Sequence, residues 1–539
     1  QTIYQHRARL TGLAAGQSYR YRVFLDGVEQ LPAETLELRT PAATGAFEFL
    51  VLGDSGDGGH PQRLLAERMN RERPAFVLHT GDIAYYEGTW QQFEDYYLDI
   101  YWPLMKQVPF FPAAGNHDYV FDNGSPFVAI HDLPTQGVPA SGQGRYYSFD
   151  WGNVHFIALD SNTPLRDALD GGASPILRWL EADLVATRQP FRIVYFHHTP
   201  FPTANYRANA YCERVNEALV GLFERHGVQL VFNGHEHLYQ RTKPHRNGVF
   251  RAGGPGTVYV TTGAAGSNLY PPEDWTFLEA GSGAAHYLRA RVDGLLLSIE
   301  AIGADGVALD QFTISAGPVA EGAGDAAAGR PLLAPGGLAA LYGWSLAPGV
   351  ATATSFPLPK ELAGVGVKVG GLAAPLLFVS RGQINFQVPY GVTPGEVSVV
   401  VAHDGVTAST PMAVRAMAPS IFVAGGRGAI VHGDGTVVSP SSPALAGEWL
   451  SVYLTGLGAV PGSVEGEAAP LLRTSVTPRV ELDGVACEVA YAGLAPGLAG
   501  VNQINWRVPA SAHGGVLALR IADGSATVAS SVAVPVKGN

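Results

Sequence analysis

The chain has 539 residues, of which 46% are hydrophobic and 15% are charged, and its formal net charge is −12. This length predicts about three or four domains, and the composition is typical of globular domains and excludes a largely disordered chain. The Lys and Arg residues are scattered, which excludes a basic stripe for nucleic acid or an anionic membrane. No run of about 18 or more apolar residues predicts a membrane-spanning helix.

Residues 1–45 predict strands with a turn, because the alternation in 8–16 continues into 19–23. This pattern resembles the latter half of a fibronectin type III-like domain, which implies a partial domain here. Residues 41–45 are predicted as a linker. No signal peptide is visible, and the chain opens inside a strand-like pattern, so we expect a processed or truncated start.

Residues 46–315 alternate between strand and helix patterns, which predicts an α/β domain built as a two-sheet sandwich flanked by helices. A helix is expected over 61–73, where Pro occupies its first position, and another over 174–187. The predicted strands are 47–52, 75–78, 146–149, 154–159, 193–196 and 228–232.

Five short blocks between residues 53 and 237 supply seven candidate metal ligands. Each block follows an apolar, strand-like run, and four of them are turns that begin with Gly. A strand holds its last residue rigidly, and Gly lets the backbone turn sharply so that a short side chain reaches a metal. Five such blocks indicate a binuclear metallohydrolase. They are Gly53-Asp54-Ser55-Gly56, Gly81-Asp82-Ile83-Ala84-Tyr85, Gly115-Asn116-His117-Asp118, Val194-Tyr195-Phe196-His197 and Gly234-His235-Glu236-His237.

The chemistry of these residues suggests how they divide between two ions. Two neighbouring cations repel each other, so an anion must lie between them, and Asp82 is the natural bridging candidate. Asp54 provides a second anion. Tyr85 binds as phenolate only if its metal lowers a pKa of about 10, which Fe(III) is acidic enough to do. The neutral ligands suit a softer divalent ion, Zn²⁺, Mn²⁺ or Fe²⁺; they are Asn116, His197 and His235.

The fourth block contains two adjacent histidines, His197 and His198. A strand points neighbouring side chains to opposite faces, so both cannot easily bind the same ion. The spacing from Val194 favours His197 as the ligand, whereas counting back from Pro200 favours His198. We predict His197 as the ligand and His198 near the phosphate pocket.

The five blocks resemble the signature of the purple acid phosphatases, a branch of the calcineurin-like metallophosphoesterases. Gly56 stands where most metallophosphoesterases carry His, and Tyr85 appears in the second block instead. The resemblance implies Fe(III) on Asp54, Tyr85 and His237, and a divalent ion on Asn116, His197 and His235. Asp82 would bridge the two ions. It also implies in-line attack of a metal-held hydroxide on phosphorus, with His117 as general acid.

The expected function is therefore a secreted, periplasmic or cell-surface acid phosphatase acting on small phosphomonoesters, with no nucleic-acid partner. Plant members carry further histidines downstream of the fourth block, but residues 199–225 contain none. Asn205, Tyr206 and Arg207 are candidates for phosphate contact there, and His60 is another. One alternative is a phosphodiesterase or nucleotide pyrophosphatase on the same metal centre. Another is a surface-attachment or carbohydrate-binding protein with a vestigial catalytic domain.

Residues 316–330 are rich in Gly and Ala and are predicted as a flexible linker. Beyond them the sequence repeats, since the motif at 382–389 recurs at 502–509. Short alternating strands between Gly, Pro and Asp turns predict two tandem immunoglobulin-like sandwiches, 331–416 and 417–539. They resemble C-terminal modules of secreted proteins from soil bacteria related to the acidobacteria, and we expect them to contact a cell surface or polysaccharide. The cysteines, Cys212 and Cys487, fall in different predicted domains, so no disulfide is expected.

Overall fold

The predicted strand–helix alternation builds two β-sheets, here called sheet 1 and sheet 2. The computed structural model describes residues 6–31, 36–42, 45–525 and 527–538, and the chain divides into a first unit ending at Ala316 and a second beginning at Gly317. In spatial order, sheet 1 contains Leu278–Ser282, Tyr239–Thr242, Val258–Thr262, Leu230–Gly234, Phe191–His198, Val154–Ala158 and Tyr147–Trp151. Sheet 2 contains Ala308–Ser315, Leu296–Gly303, His286–Asp293, Phe47–Leu52, Phe76–His79 and Phe110–Pro112.

The two sheets pack face to face through aromatic side chains. Phe76 of sheet 2 lies 4.8 Å from Trp151 and 5.2 Å from Phe156 of sheet 1, measured between ring centroids. Phe49 and Phe76 stack on each other at 5.1 Å. These rings are large and almost fully buried, so they contribute much of the apolar area that holds the sandwich together. The predicted two-sheet α/β fold is confirmed.

Helices flank the sheets. The predicted helices are confirmed at His60–Glu72 and Ile176–Ala186. A longer helix, Ala210–Arg225, was not predicted, although its buried residues recur every three or four positions and the Asn209 side chain caps its first backbone N–H groups. The other helical segments are Trp90–Phe93, Glu94–Leu98, Asp99–Met105, His117–Tyr119, Asp122–Gly124, Ser125–Ile130, Ala140–Gly142 and Thr163–Leu169.

Short strand pairs complete the first unit. Near the amino end, Ser18–Tyr21 pairs with Leu36–Arg39 and Phe24–Leu25 pairs with Val28–Glu29. The prediction of a strand within 8–16 is wrong, since these residues are mostly exposed and pair with no strand of the described chain. The predicted linker at 41–45 lies partly outside the described residues, and the fibronectin-like assignment stays a prediction. A further hairpin joins His245–Arg246 to Val249–Phe250.

The second unit is all β and contains two sandwiches, each built from two sheets around its own apolar core. Sheet 3 contains Val319–Asp325, Leu338–Trp344, Gln383–Gln387, Leu376–Val379 and Ala351–Thr352. Sheet 4 contains Leu332–Leu333, Val406–Val414, Gly395–His403, Val365–Val369, Glu361–Leu362 and Leu372–Ala373. Sheet 5 contains Ser420–Ile421, Trp449–Thr455, Asn502–Arg507, Val489–Leu494 and Ile430–Val431. Sheet 6 contains Val485–Ala486, Arg479–Leu482, Gly515–Ala522 and Ala529–Val536, and a hairpin joins Val423–Ala424 to Arg427–Gly428.

The prediction of a flexible linker over 316–330 is wrong for Val319–Asp325, which forms an edge strand of sheet 3 paired antiparallel with Leu338–Trp344. The backbone hydrogen bonds of that pairing outweigh the low strand propensity of Gly and Ala. Cys212 and Cys487 are both free, as expected. None of the helices in the described chain is long and apolar enough to cross a membrane.

Candidate metal centre

All seven predicted ligands meet at one end of the two sheets. In sheet 2, Phe47–Leu52 runs parallel to Phe76–His79, which runs parallel to Phe110–Pro112. In sheet 1, Phe191–His198 runs parallel to Leu230–Gly234. The carboxyl ends of parallel strands converge, and ligands of α/β folds characteristically bind there. The five blocks follow or end these five strands, so side chains distant in sequence are brought together.

The turns that carry the ligands are tight. Asp54, Asp82 and His235 have φ angles of 53°, 53° and 73°, a backbone region that side chains other than Gly rarely adopt and that is enriched at functional sites. A Cβ atom on Gly115 would overlap Asp82, and one on Gly234 would overlap the Asp54 carboxylate. The glycines of the blocks therefore make room for the neighbouring ligands.

The donor atoms form a first group around the Tyr85 hydroxyl. Its oxygen lies 3.2 Å from Asp54 Oδ1 and 3.2 Å from His237 Nε2. The Asp54 Oδ1 and His237 Nε2 atoms are themselves 3.4 Å apart. Two ligands at right angles around an ion, each about 2.1 Å from it, lie about 3 Å from each other. The spacing of this group therefore fits one shared ion.

A second group surrounds the Asn116 side-chain oxygen. Asn116 Oδ1 lies 2.9 Å from His197 Nε2 and 3.0 Å from His235 Nδ1. The two histidine nitrogens are 3.2 Å apart. These distances are again those of neighbouring ligands on one ion, and the three donors are neutral, as borderline divalent ions accept.

Asp82 joins the two groups. Its Oδ2 atom lies 3.0 Å from the Tyr85 hydroxyl of the first group and 3.4 Å from His197 Nε2 of the second. Oδ1 accepts a hydrogen bond of 2.8 Å from the His117 backbone N–H, which fixes the carboxylate. One carboxylate oxygen thus reaches both donor groups, as a bridging ligand must.

The electrostatics of the cluster favour cations. Asp54 and Asp82 are almost completely buried, and in the described part of the chain no Lys or Arg pairs with either carboxylate. Burial raises the pKa of Asp54, while for Asp82 the neighbouring His197 overcomes burial and lowers the pKa. Burial and the two carboxylates raise the pKa of Tyr85 well above its usual value, so its phenolate forms only beside a strongly acidic cation. The residues present fit a pair of metal ions.

Backbone carbonyls hold two of the histidine rings. His197 Nδ1 lies 3.1 Å from the Thr80 carbonyl oxygen, and His237 Nδ1 lies 3.1 Å from that of Asn268. Donation from Nδ1–H to these acceptors leaves Nε2 unprotonated and directed at the cluster, the usual arrangement of a metal-binding histidine. Burial lowers the pKa of His198 well below its usual value, and its Nδ1 pairs with Ser161 Oγ at 2.9 Å. His197 belongs to the donor cluster, and His198 forms the adjacent wall.

His117 stands at the open side of the cluster. Its Nδ1 lies 2.6 Å from the Tyr86 carbonyl oxygen, and its Nε2 lies 3.9 Å from Asp82 Oδ2. The imidazole is 29% exposed, so a substrate can approach it. Because the Tyr86 carbonyl retains the proton on Nδ1, Nε2 is the atom that can exchange a proton with a bound group.

Two residues that sequence reasoning missed organise the site. The Asp118 carboxylate accepts hydrogen bonds from the backbone N–H of Gly115 at 2.8 Å and of Ile83 at 2.9 Å, and so joins the second block to the third. The Glu236 carboxylate joins the fifth block to the loop at 203–209. Both acids stand inside the quoted blocks, so their position was a signal, but Ile83 lies 35 residues from Asp118 and the partners of Glu236 lie 30 to 32 residues from it.

Other predicted residues take peripheral places. Gly56 has a φ of 100° and lies against the backbone of Gly266, so a histidine side chain would not fit there. Tyr206 stacks on His235 with ring centroids 3.8 Å apart. Asn205 and Arg207 line a cavity of about 610 Å³ beside it. His60 is exposed at the start of its helix.

Comparisons with known proteins agree with this geometry. Residues 47–239 match the family model described as calcineurin-like phosphoesterase. Purple acid phosphatase 21 of Arabidopsis thaliana is 29% identical over 269 residues, which cover 49% of this chain and 58% of that protein. Purple acid phosphatase 18 of the same plant is 29% identical over 294 residues, covering 52% and 63%. The match thus spans less than two thirds of either relative.

A solved purple acid phosphatase from yellow lupin (Lupinus luteus) seeds is 20% identical, with a TM-score of 0.48, over 56% of this chain and 60% of that one. The domain assignment rests on the sequence match at 47–239 and on the two-sheet architecture with its ligand-bearing turns. The first unit of this chain therefore contains a calcineurin-like metallophosphoesterase domain, and its curated relatives are named purple acid phosphatases.

Proposed function

We propose that the chain is a binuclear-metal acid phosphatase that hydrolyses small phosphomonoesters. The observation that carries this proposal is the position of Asp82 Oδ2, 3.0 Å from the Tyr85 hydroxyl and 3.4 Å from His197 Nε2. A buried carboxylate shared by two groups of donors is what a pair of closely spaced cations requires.

The first donor group would hold Fe(III), with Asp54, Tyr85 and His237 as ligands. A hard, highly charged ion suits the carboxylate and is acidic enough to bind a phenolate. The second group would hold Zn²⁺, Mn²⁺ or Fe²⁺ through its two imidazoles and one amide oxygen. Asp82 would bridge the ions.

When bound, the two ions would lower the pKa of a water molecule and neutralise charge on the phosphoryl oxygens. The chain's own residues then orient the ester and move protons. His117 Nε2 would donate a proton to the leaving-group oxygen while the Tyr86 carbonyl keeps the ring oriented through Nδ1. The Ser161 hydroxyl holds the His198 ring through Nδ1, and this ring would form part of the wall beside the bound phosphate.

The protein would act outside the cytoplasm, either secreted or held in the periplasm or at the cell surface, with the second unit as an accessory that contacts a surface or polysaccharide. Among the described residues, the group of three possible metal ligands lies in the first unit, so the proposed chemistry is assigned to that unit. Fractionation of the source organism, followed by immunodetection of this chain, tests the location. Recovery of the chain with the cytoplasm would contradict it.

The metal assignment is tested by metal analysis and the visible absorption spectrum of the purified chain. We expect iron plus one divalent metal and a phenolate-to-Fe(III) band that is lost in Tyr85→Phe. Tyr86→Phe is the matched control, since Tyr86 is exposed and outside both donor groups. A colourless, fully active protein containing only zinc would count against the assignment.

Substrate class is tested by comparing hydrolysis of p-nitrophenyl phosphate and bis-p-nitrophenyl phosphate. We expect the monoester to have the higher kcat/KM. A preference for the diester would favour the phosphodiesterase alternative, and absence of both activities in the metal-loaded protein would favour the vestigial one.

A further inference from the structure

Glu236 lies between two predicted metal ligands but faces away from both donor groups. Its side chain is completely buried. Oε1 accepts hydrogen bonds of 3.0 Å from the backbone N–H of Ala204 and of Tyr206, and Oε2 accepts one of 3.2 Å from that of Asn205. Within the described residues no Lys or Arg forms an ion pair with this carboxylate, so these backbone N–H groups and the neighbouring Tyr270 side chain compensate it.

These three bonds fix the start of the loop at 203–209 beside the metal centre. Tyr206, whose N–H makes one of these bonds, also stacks its ring on His235 with centroids 3.8 Å apart and ring planes 28° apart. At the first residue of the loop, the Thr203 carbonyl oxygen accepts a hydrogen bond of 3.1 Å from Trp275 Nε1. The loop is therefore attached to the ligand-bearing turn itself, since Glu236 directly follows His235.

The same loop lines the cavity of about 610 Å³, together with Tyr270 and Pro271. Arg207 and Glu273, both lining the cavity, form an ion pair with each other. Their opposite charges pair, and the cavity also presents the rings of Tyr206 and Tyr270, which stack on His235 and His237 of the metal centre. A flat, uncharged group fits such a wall better than a second anion.

We propose that Glu236 is a positioning residue that holds Tyr206 against His235 and so shapes the cavity for an aromatic leaving group. This inference rests on the proposed phosphatase function. Glu236 itself does not touch the substrate; it acts through the loop backbone.

A carboxylate is suited to this task because both its oxygens accept hydrogen bonds. Replacing Glu236 by Gln substitutes an NH₂ group for one oxygen, and that group opposes a backbone N–H that it cannot satisfy. The variant keeps the size of the side chain, so the ligands on either side need not move. Its effect should therefore be concentrated in the loop.

The decisive experiment uses the full chain with Glu236→Gln, and with Glu213→Gln as the matched control at an exposed helix position. Hydrogen–deuterium exchange of the amides at 204–206 is measured first, because it does not depend on catalysis. We expect exchange there to rise about tenfold or more in Glu236→Gln and to stay unchanged in the control. Unchanged exchange in Glu236→Gln would overturn the proposal.

The kinetic arm separates positioning from metal binding. For p-nitrophenyl phosphate we expect KM to rise about five- to tenfold in Glu236→Gln with kcat within about twofold, and with metal content unchanged. KM for an alkyl phosphate should change much less, and Tyr206→Ala should reproduce the pattern while the control Glu213→Gln should not. Loss of metal in Glu236→Gln, or equal KM changes for both esters, would overturn the proposal. If the wild-type chain lacks activity but the exchange result holds, the proposed function fails and only the loop anchor survives.

Discussion

Gln387 in the second unit and the two carboxylates of the candidate metal centre in the first unit are all buried, but they differ in how their polar groups are compensated. In the second unit, Gln387 is almost fully buried, and its amide donates to the Gly336 carbonyl oxygen at 3.1 Å and accepts from the Gly466 N–H at 2.8 Å. Its hydrogen-bonding groups are matched by neutral partners. In the candidate metal centre of the first unit, Asp54 and Asp82 are equally buried. Their neighbours are the other predicted ligands, such as His197 and His237, and no Lys or Arg of the described chain pairs with either carboxylate.

This difference distinguishes buried polar groups that only stabilise the fold from buried groups that are suited to bind an ion. A buried group whose hydrogen bonds are satisfied contributes modestly to stability, and it needs nothing from outside. Two buried carboxylates converge with three imidazoles on turns with left-handed backbone, and among the described residues only histidines such as His197, and no Lys or Arg, compensate their charge. This need for positive charge, which a metal ion can meet in place of a proton, is the physical basis for expecting cations in the first unit, and it can be tested by removing one group of each kind.

The largest effect is expected for Asp82→Asn. The amide is the same size but loses the negative charge shared by the two donor groups. Removing a partner of a metal ligand costs about 10–100-fold in affinity or activity, so loss of a bridging ligand should reduce kcat/KM by more than about 100-fold and lower the bound metal. Metal analysis and phosphatase assays measure this. Asp434→Asn is the control, since Asp434 is exposed in the second unit; full metal content in Asp82→Asn would contradict the bridging role.

The convergence of the seven residues at this centre was predictable because each stands in a short block that follows or ends a strand. The preference for His197 over His198 followed from its spacing to Val194, although the spacing to Pro200 favoured His198. The contacts of Asp118 with Ile83 and of Glu236 with 204–206 were not, because those partners lie 30 or more residues away and are brought near by the pairing of parallel strands within each sheet. Local sequence therefore predicts the residues that converge here but not the groups that position them.

The fold was predictable to a similar extent. The sheets of the first unit followed from apolar runs such as Phe47–Leu52, which the structure reproduces with the same bounds. Val319–Asp325 escaped prediction because its Gly and Ala residues have no strand propensity of their own, and it becomes a strand only by pairing with Leu338–Trp344. The missed helix Ala210–Arg225 of the first unit is a different kind of error, because its periodic buried residues and its Asn209 cap were local signals.

Gln387→Leu tests a buried side chain whose hydrogen bonds are made within the protein. It leaves the Gly336 carbonyl and the Gly466 N–H without their side-chain partner, which should lower the free energy of unfolding of the second unit by about 2–3 kcal/mol. Metal content and kcat should not change. Thermal unfolding measures the stability, metal analysis the metal content, and a phosphatase assay kcat. Gln383→Leu is the matched control on the same strand, because Gln383 is only partly buried and bonds to Asn385, so its change should stay within about 0.5 kcal/mol.

His155 extends the comparison to a charged group, because it is a buried histidine of the first unit that does have its partners. Its Nδ1 lies 2.6 Å from Asp150 Oδ1 and its Nε2 lies 2.9 Å from Asp183 Oδ2. Burial alone would lower the pKa of His155, but the two carboxylates raise it from 6.5 to about 9. Whether a buried polar group has its hydrogen-bond or ion-pair partners thus depends on its immediate neighbours and not on the unit to which it belongs.

The smallest effect is expected for His155→Gln, and it should depend on pH. The pKa of His155 is higher in the folded chain than in the unfolded one, so its stabilisation is fully present below about pH 6.5 and is lost as the pH rises through about 9. The shift corresponds to at most about 3 kcal/mol, which screening at the half-exposed Asp150 should reduce to about 1–2 kcal/mol. Denaturant unfolding at pH 6, 8 and 10 should therefore show a wild-type advantage over His155→Gln that shrinks with pH. An advantage that stays constant from pH 6 to 10 would mean that His155 stabilises the fold by packing and not by its charge.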